Sequence, residues 1–159
     1  MRNNFSRQVK ESFSLGMEES MRLGTRYIGP EHLLLGLIKE SDNNALELLR
    51  NSHIEISTLK KALETGIKTR ADQSPKGNMK IIQIKNFFQK LKFTLNEEAE
   101  QIVRGMILEA REFGNSSIDT EHLLLSILRN NNTKAYAILS QLGLDYQKAR
   151  TSLRSKVRV

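Results

Sequence analysis

Residues 28–38 read Ile-Gly-Pro-Glu-His-Leu-Leu-Leu-Gly-Leu-Ile, and residues 118–128 read Ile-Asp-Thr-Glu-His-Leu-Leu-Leu-Ser-Ile-Leu. The two stretches lie ninety positions apart, and the same offset aligns further identical residues without a gap. These further pairs are Glu19/Glu109, Gly24/Gly114, Ala45/Ala135, Leu49/Leu139 and Leu63/Leu153. Such a repeat indicates a duplicated module, so we expect a pseudo-two-fold body with two related surface sites.

The apolar spacing predicts four helices in each repeat, and therefore an all-α fold of about eight helices. In both repeats the apolar residues of the first helix follow at steps of four, which places them on one helix face. Ser6 and Asn96 stand at equivalent positions and are good N-caps for these first helices. Gly24 and Gly114 are expected to end them, because glycine readily adopts the left-handed conformation found after a helix.

The repeated motif itself is predicted to open the second helix of each repeat. Gly29 and Asp119 stand at the N-cap, and Pro30 follows at the first helical position, where a missing N–H removes no hydrogen bond. The runs that follow are too apolar to face solvent, so these second helices should form the core. Third helices are expected at 45–49 and 135–139, and fourth helices at about 57–65, ending near Gly66, and at about 146–155.

We expect one compact domain in three parts, with repeat 1 at 1–65, a basic inter-repeat connection at 66–94 and repeat 2 at 95–159. The connection holds seven Lys and Arg residues against Asp72 alone, so most of the net charge of +7 lies there. Residues 66–79 have the composition of a mobile linker. Residues 80–93 are rich in large apolar side chains at helical spacing, yet residues 80–85 fit a short strand equally well. We expect 80–93 to pack on the body or to await a partner.

Composition excludes several classes of protein. The absence of cysteine rules out disulfides, Cys-ligated zinc and thiol nucleophiles. No stretch approaches the roughly 18 apolar residues of a membrane span, and the N-terminus has no apolar leader segment, so we expect a cytoplasmic protein without a membrane partner. There is no Gly-x-x-x-x-Gly-Lys-Ser/Thr phosphate loop and no arrangement typical of a catalytic site. We therefore predict neither catalytic residues, nor a metal, nor a cofactor in this chain.

The motifs at 29–35, 119–125 and 109–114 together resemble those of one family. Gly-Pro-Glu-His-Leu-Leu-Leu, Asp-Thr-Glu-His-Leu-Leu-Leu and Glu-Ala-Arg-Glu-Phe-Gly are similar to the repeats of the N-terminal domain of Clp AAA+ unfoldases of the ClpA/ClpC type. The resemblance covers essentially 1–155, apart from the connection, which is longer than is usual in that family. It implies a double four-helix domain that docks adaptor and substrate proteins for the AAA+ ring of the same chain or complex.

In ClpC-like members of this family each repeat holds a phosphoarginine pocket, and the resemblance carries this role to Glu31 and Glu121. A helix N-terminus suits a phosphate, and a carboxylate one turn away suits the guanidinium group beside it. Ser6, Asn96 and Thr120 are then expected as neighbouring polar groups. The partners implied are adaptor and substrate proteins, including phosphoarginine-containing ones.

Simpler interpretations of the same residues stay open. An acidic residue in the first turn of a helix complements the helix dipole without any ligand, so Glu31 and Glu121 fit a capping role as well. This chain also departs from the family pattern in each copy, because Pro30 replaces the hydroxyl residue that Thr120 keeps, and Asp119 replaces the glycine that Gly29 keeps. Each pocket is therefore atypical in its own way.

The histidines have their own interpretation. His32 and His122 recur with the motif, but a third ligand at metal spacing is missing, so buried histidines bonded to the backbone are favoured over a zinc site. His53 has no counterpart in repeat 2, where Gly143 stands, and we expect it at the surface.

A rival function uses the positive charge of 66–94. A basic helical protein could bind nucleic acid through that connection, although a duplex-binding domain would be expected to show a basic face on its folded body. Nucleic-acid binding would weaken steeply with salt and would disappear when 66–94 is removed.

Overall fold

The computed structural model of the chain describes residues 4–71, 80–81 and 94–157. Within these ranges the chain forms eight α-helices, four from each repeat, which confirms the predicted all-α double repeat. The helices are α1 (Arg7–Arg22), α2 (Pro30–Lys39), α3 (Asn44–Asn51), α4 (Ile56–Ala71), α5 (Glu97–Glu112), α6 (Thr120–Arg129), α7 (Lys134–Gln141) and α8 (Tyr146–Val157).

One short strand pair accompanies the helices at the end of the connection. The strands β1 (Lys80–Ile81) and β2 (Thr94–Leu95) pair antiparallel, with Lys80 opposite Leu95. Of the helix and the short strand that the sequence allowed at 80–85, the strand is observed at Lys80–Ile81. Residues 82–93, like 72–79, lie outside the described residues.

The predicted helix ends are confirmed at the first helix of each repeat. The Ser6 side chain accepts a hydrogen bond from the Val9 N–H, and the Asn96 side chain accepts one from Ala99 N–H, so both residues cap their helices. Gly24 and Gly114 follow the last turns with φ values of 70° and 71°, a left-handed conformation that costs glycine little.

The predicted end of α4 near Gly66 is wrong. The helix continues to Ala71, so residues 66–71 are not part of a linker. Gly66 serves close packing instead, because a Cβ atom there would lie 3.2 Å from Cε of Lys134 in α7. A glycine late in a helical pattern is typical of a helix end, but it equally allows another element to approach the helix.

The apolar helices α2 and α6 form the centre of the molecule, as predicted. Their leucines at 33–35 and 123–125 are at most 1% exposed. The two repeats are joined where each first helix begins. The Ser6 N–H donates to the Ile118 carbonyl at 2.8 Å, and the Asn96 N–H donates to the Ile28 carbonyl at 3.0 Å. The start of each first helix is therefore bonded to the loop that precedes the second helix of the other repeat.

Candidate functional site

Each predicted site combines residues of both repeats, because the first helix of each repeat begins beside the motif of the other repeat. Ser6 of repeat 1 lies at the α6 motif of repeat 2, where its hydroxyl donates to Asp119 Oδ1 at 2.9 Å. Asn96 of repeat 2 lies at the α2 motif, where its Nδ2 would be 3.2 Å from a Cβ atom on Gly29. The sequence predicted that Ser6 and Asn96 neighbour the motif carboxylates, and the structure adds that each belongs to the site of the opposite repeat.

The start of α6 is held by Asp119. Its Oδ1 accepts the Thr120 N–H at 2.7 Å as well as the Ser6 hydroxyl, and its own N–H donates to Nδ1 of His122 at 2.8 Å. The Thr120 side chain is fully buried, and its Oγ1 accepts the Ala45 N–H of α3 at 3.3 Å. Thr120 therefore joins α6 to α3 of the other repeat, and its hydroxyl is already engaged there.

Glu121 lies beside this cap in a half-buried position. Its two carboxylate oxygens are 3.3 and 3.2 Å from Nδ2 of Asn44, a residue of α3 in the other repeat. Burial raises the pKa of Glu121, and the nearby Asp119 carboxylate raises it further, while Asn44 and Lys156 act in the opposite direction. The carboxylate is thus partly desolvated and remains open to a cation.

A cavity of about 250 Å³ opens in front of Glu121. One wall is apolar and comes from Phe113, Leu125 and Leu153, whereas the polar side holds Glu121 and Lys156. Lys156 is paired with Glu47 through an Nζ–Oε1 distance of 2.7 Å. We call this space the Glu121 cavity.

Two further cavities of about 340 and 350 Å³ continue from the Glu121 cavity across the surface. The first shares Asn44 and Glu47 with the Glu121 cavity, and it shares Gln8 and Asp42 with the second. Their charged lining residues are Arg7, Glu11, Glu40, Asp42, Glu47, Arg50 and Asp119. Carboxylates outnumber cations among the residues that line these two cavities, whereas the whole chain carries a net positive charge.

The repeat 1 site differs from the repeat 2 site. Glu31 is only 2% exposed, and its Oε2 would lie 3.2 Å from a Cβ atom on Gly29. The bare Gly29 backbone thus leaves room for the Glu31 carboxylate and for the Asn96 amide, where repeat 2 has the side chain of Asp119. Pro30 occupies the first position of α2, so this helix lacks the N–H that Thr120 supplies in α6.

The two motif histidines serve the fold, as the sequence indicated. Both are 1% exposed, and each Nδ1 accepts a backbone N–H, from Gly29 to His32 at 2.9 Å and from Asp119 to His122. Burial lowers the pKa of His32 to about 4 and also lowers the pKa of His122. Both rings are therefore neutral near pH 7, and at His32 the proton lies on Nε2, which contacts the Thr25 hydroxyl oxygen at 3.0 Å. In the part of the chain that the structure describes, three or more potential metal ligands do not come together.

Sequence reasoning missed several residues of the Glu121 cavity. Asn44 comes from α3 of the other repeat, Phe113 from the end of α5 and Lys156 from the last turn of α8. The spacing of a single repeat carries no information on these distant neighbours. Of the residues that line the cavity, the sequence had identified Glu121 as a site residue.

The described helices include none that is long and apolar enough to cross a membrane. The chain matches the Clp repeat (R) N-terminal domain family twice, over residues 4–91 and 92–158. It is 31% identical over 151 residues to the chaperone protein ClpB of Oceanobacillus iheyensis, and the alignment covers 94% of this chain and 17% of that protein. It is 29% identical over 150 residues to the negative regulator of genetic competence ClpC/MecB of Bacillus subtilis, covering 94% of this chain and 16% of that protein.

Solved structures show the same fold at lower identity. The Hsp104 N-terminal domain of Candida albicans superposes with a TM-score of 0.68 at 12% identity, covering 94% of this chain and 88% of that chain. The N-terminal domain of the chaperone ClpD of Arabidopsis thaliana gives a TM-score of 0.63 at 19% identity, covering 95% of both chains.

Proposed function

This chain belongs to the Clp repeat (R) N-terminal domain family, and on that premise we propose that it docks adaptor and substrate proteins for a Clp-type AAA+ ring in the same chain or complex. The chain spans 17% and 16% of the length of the ClpB and ClpC/MecB proteins that it matches, and the proposal places the ring outside these 159 residues. The proposed role is binding and delivery, carried out in the cytoplasm and without catalysis by these residues.

The Glu121 cavity is the observation that supports a binding role best. It combines a half-buried carboxylate with an apolar wall formed by Phe113, Leu125 and Leu153. A long cationic side chain has the matching chemistry, because its methylene stem packs on apolar surface while its charged end meets a carboxylate. Arginine fits better than lysine, since its planar guanidinium group pairs with both oxygens of a carboxylate.

We extend the same role to Glu31 in repeat 1, because the two motif carboxylates occupy equivalent positions. The Glu31 site is less open, and Asn96 is the polar neighbour that corresponds to Ser6. The proposed ligands of the pair of sites are arginine side chains of protein partners, phosphorylated or not. Ser6 and Asn96 take part by positioning the two helix starts.

Calorimetry with short peptides tests this function. Three peptides of one sequence carry arginine, phosphoarginine or uncharged citrulline at the central position. We expect Glu121→Gln to weaken arginine-peptide binding by about ten- to a hundred-fold, because a charge-assisted pair contributes about 1.5–3 kcal/mol. Citrulline should bind wild type as weakly as arginine binds the variant.

Glu18→Gln is the matched control, because it removes the same charge from an exposed position on α1. It should leave the affinity unchanged. If the double variant Glu31→Gln, Glu121→Gln keeps its fold and binds arginine peptides as tightly as wild type does, the two carboxylates do not bind the ligand and act only as helix caps. The nucleic-acid alternative is tested separately, by measuring oligonucleotide binding against salt with and without residues 72–93.

A further inference from the structure

A second carboxylate, that of Glu47, lines the Glu121 cavity. It comes from α3 of the other repeat, as does Asn44, whose Nδ2 contacts the two Glu121 oxygens at 3.3 and 3.2 Å. Residues three apart lie on one face of a helix, so Glu47 stands about one turn along α3 from the Asn44 amide. The cavity therefore has one carboxylate on α6 and a second one on α3.

A cation of the chain itself is bonded to Glu47. Lys156, in the last turn of α8, also lines the cavity, and its Nζ lies 2.7 Å from Glu47 Oε1. The pair therefore joins α8 of repeat 2 to α3 of repeat 1 beside Glu121. The Lys156 and Glu47 side chains are 44% and 57% exposed, and water weakens such a pair, so a competing cation can replace the lysine.

The Lys156–Glu47 pair is not what holds α8 in place. Leu153, about one turn before Lys156, is 9% exposed and belongs to the hydrophobic core, and Ala149 is fully buried. Burial of these side chains positions α8 more strongly than an exposed ion pair does. Lys156 also complements the dipole at the end of α8, but Arg154 in the same turn does so as well. Neither role accounts for a lysine charge placed at the cavity.

We propose that Glu47 is a second binding residue of the Glu121 cavity, and that Lys156 occupies it until an arginine side chain of a partner takes its place. The inference rests on the proposed function of the cavity and adds a binding residue and a competing cation to it. A planar guanidinium has five N–H donors on more than one edge, so it can bond Glu121 and Glu47 together. The displaced Lys156 ammonium then moves into solvent.

Substitutions of Lys156 test the displacement. Binding of the arginine peptide is followed through the amide resonances of Phe113 and Leu125, which line the Glu121 cavity. Lys156→Gln leaves Glu47 unoccupied, so we expect about three- to fivefold tighter binding, the range in which an exposed ion pair acts. Lys156→Arg keeps the charge but pairs with Glu47 through two parallel bonds, so we expect about threefold weaker binding.

Glu47→Gln shows whether Lys156 acts through Glu47. We expect this variant to bind the arginine peptide about threefold more weakly than wild type, because one of the two carboxylates is lost. When Lys156→Gln is added to Glu47→Gln, it should tighten binding by less than about twofold, since the competition no longer exists.

Lys148→Gln is the matched control. It removes the same charge from α8 about two turns before Lys156, at an exposed side chain that is outside the cavity lining and has Asp145 at 3.9 Å. It should leave the affinity within about 1.5-fold of wild type. The substituted side chains of Glu47, Lys148 and Lys156 are all exposed, and circular dichroism of each variant verifies the fold.

The outcomes separate this inference from the proposed function. If Glu121→Gln weakens binding, but Lys156→Gln binds the arginine peptide no more tightly than wild type, the displacement is refuted while the docking role stands. If Lys156→Gln tightens binding and Lys156→Arg equals wild type, the lysine acts only as a remote charge, which also refutes the displacement. If the arginine peptide perturbs the cavity resonances no more than the citrulline peptide does, both proposals fall.

Discussion

The two helix pairs that open the repeats, α1 with α2 and α5 with α6, pack in different ways. In the first pair a Cβ atom on Gly36 would overlap the Ser12 carbonyl oxygen and lie 2.6 Å from Gly16 N, so the two backbones are in contact. At the equivalent position of the second pair stands Ser126, whose hydroxyl donates to the Ile102 carbonyl at 2.7 Å. One pair is joined by backbone contact, and the other by a side-chain hydrogen bond.

A nearly identical motif therefore does not impose identical packing. Gly36 and Ser126 are the residues at which the two runs of leucine first differ, and each suits the helix that it faces. In the same contact of repeat 1, the fully buried Ser12 hydroxyl finds no hydrogen-bond partner among the residues that the structure describes, and an unpaired buried hydroxyl is destabilising.

The identical carboxylates Glu19 and Glu109 also differ between the repeats. Burial raises the pKa of Glu109, which receives the hydroxyl of Tyr146 and has the Glu112 carboxylate nearby. Burial acts on Glu19 in the same direction, but ion pairs with Arg22 and Lys39 at 2.6 and 3.0 Å outweigh it and lower its pKa. Glu109 keeps one ion pair, with Arg129 at 2.8 Å, which is the counterpart of Lys39. The other pair is lost, because Glu112 stands at the position of Arg22 and its carboxylate raises the pKa of Glu109 further.

The largest predicted effect is that of Gly36→Ser, which gives repeat 1 the residue of repeat 2. The new side chain meets backbone atoms of Ser12 and Gly16, which cannot move aside as a flexible side chain would. We expect a loss of about 3 kcal/mol or more in the free energy of unfolding, measured by urea unfolding followed by circular dichroism.

The reverse substitution, Ser126→Gly, is its control. It removes the bond to Ile102 and adds a helix-interior glycine, so it should cost about 1–2 kcal/mol. If Gly36→Ser and Ser126→Gly lower the free energy of unfolding equally, the contacts of α1 with α2 and of α5 with α6 are energetically equivalent despite their different packing.

Local physics explains which parts of the fold could be predicted. The caps Ser6 and Asn96 and the left-handed Gly24 and Gly114 follow from conformational preferences that act within a few residues. Gly66 was misinterpreted because close packing and helix termination both favour glycine, and the deciding contact with α7 is distant in sequence.

The candidate site shows the same limit. Glu31 and Glu121 are indistinguishable by motif, yet Glu31 is 2% exposed and Glu121 is half-buried beside a cavity. What differs is the chain that covers each residue, including Asn44 from the other repeat at Glu121. Apolar periodicity predicts which face of a helix is buried, but it does not predict which element buries it.

The second prediction concerns pH and the buried His32. Its pKa is lowered from 6.5 to about 4 by burial, so the unfolded chain binds more protons than the folded chain between these values. The stabilisation is complete above pH 6.5 and is lost as pH falls towards 4. We expect the titration of His32 alone to lower the free energy of unfolding by about 2 kcal/mol when the pH falls from 7.5 to 5, as measured by urea unfolding.

His32→Gln should flatten this dependence, whatever it costs at neutral pH. The His122→Gln variant tests the comparison between repeats, because the Asp119 carboxylate offsets part of the lowering of the His122 pKa that burial causes. If neither substitution alters how the free energy of unfolding depends on pH, that dependence comes from other groups, among them the ion-paired Glu19.

The smallest predicted effect comes from the turns that follow the third helices. His53 adopts a left-handed conformation with φ of 59°, whereas its counterpart Gly143 has φ of 92°. A residue with a side chain pays about 1–2 kcal/mol to adopt the left-handed conformation, and replacing it by glycine removes this cost. The same replacement makes the unfolded chain more flexible, which lowers the stability by about 0.4–1 kcal/mol. His53→Gly should therefore raise the free energy of unfolding by about 0.5 kcal/mol, since the exposed His53 ring contributes little packing. Gly143→His should lower it by about 1 kcal/mol, and thermal unfolding of the two variants against wild type measures both. Effects of the same sign would show that the turns are not equivalent, which would limit the pseudo-symmetry to the helices.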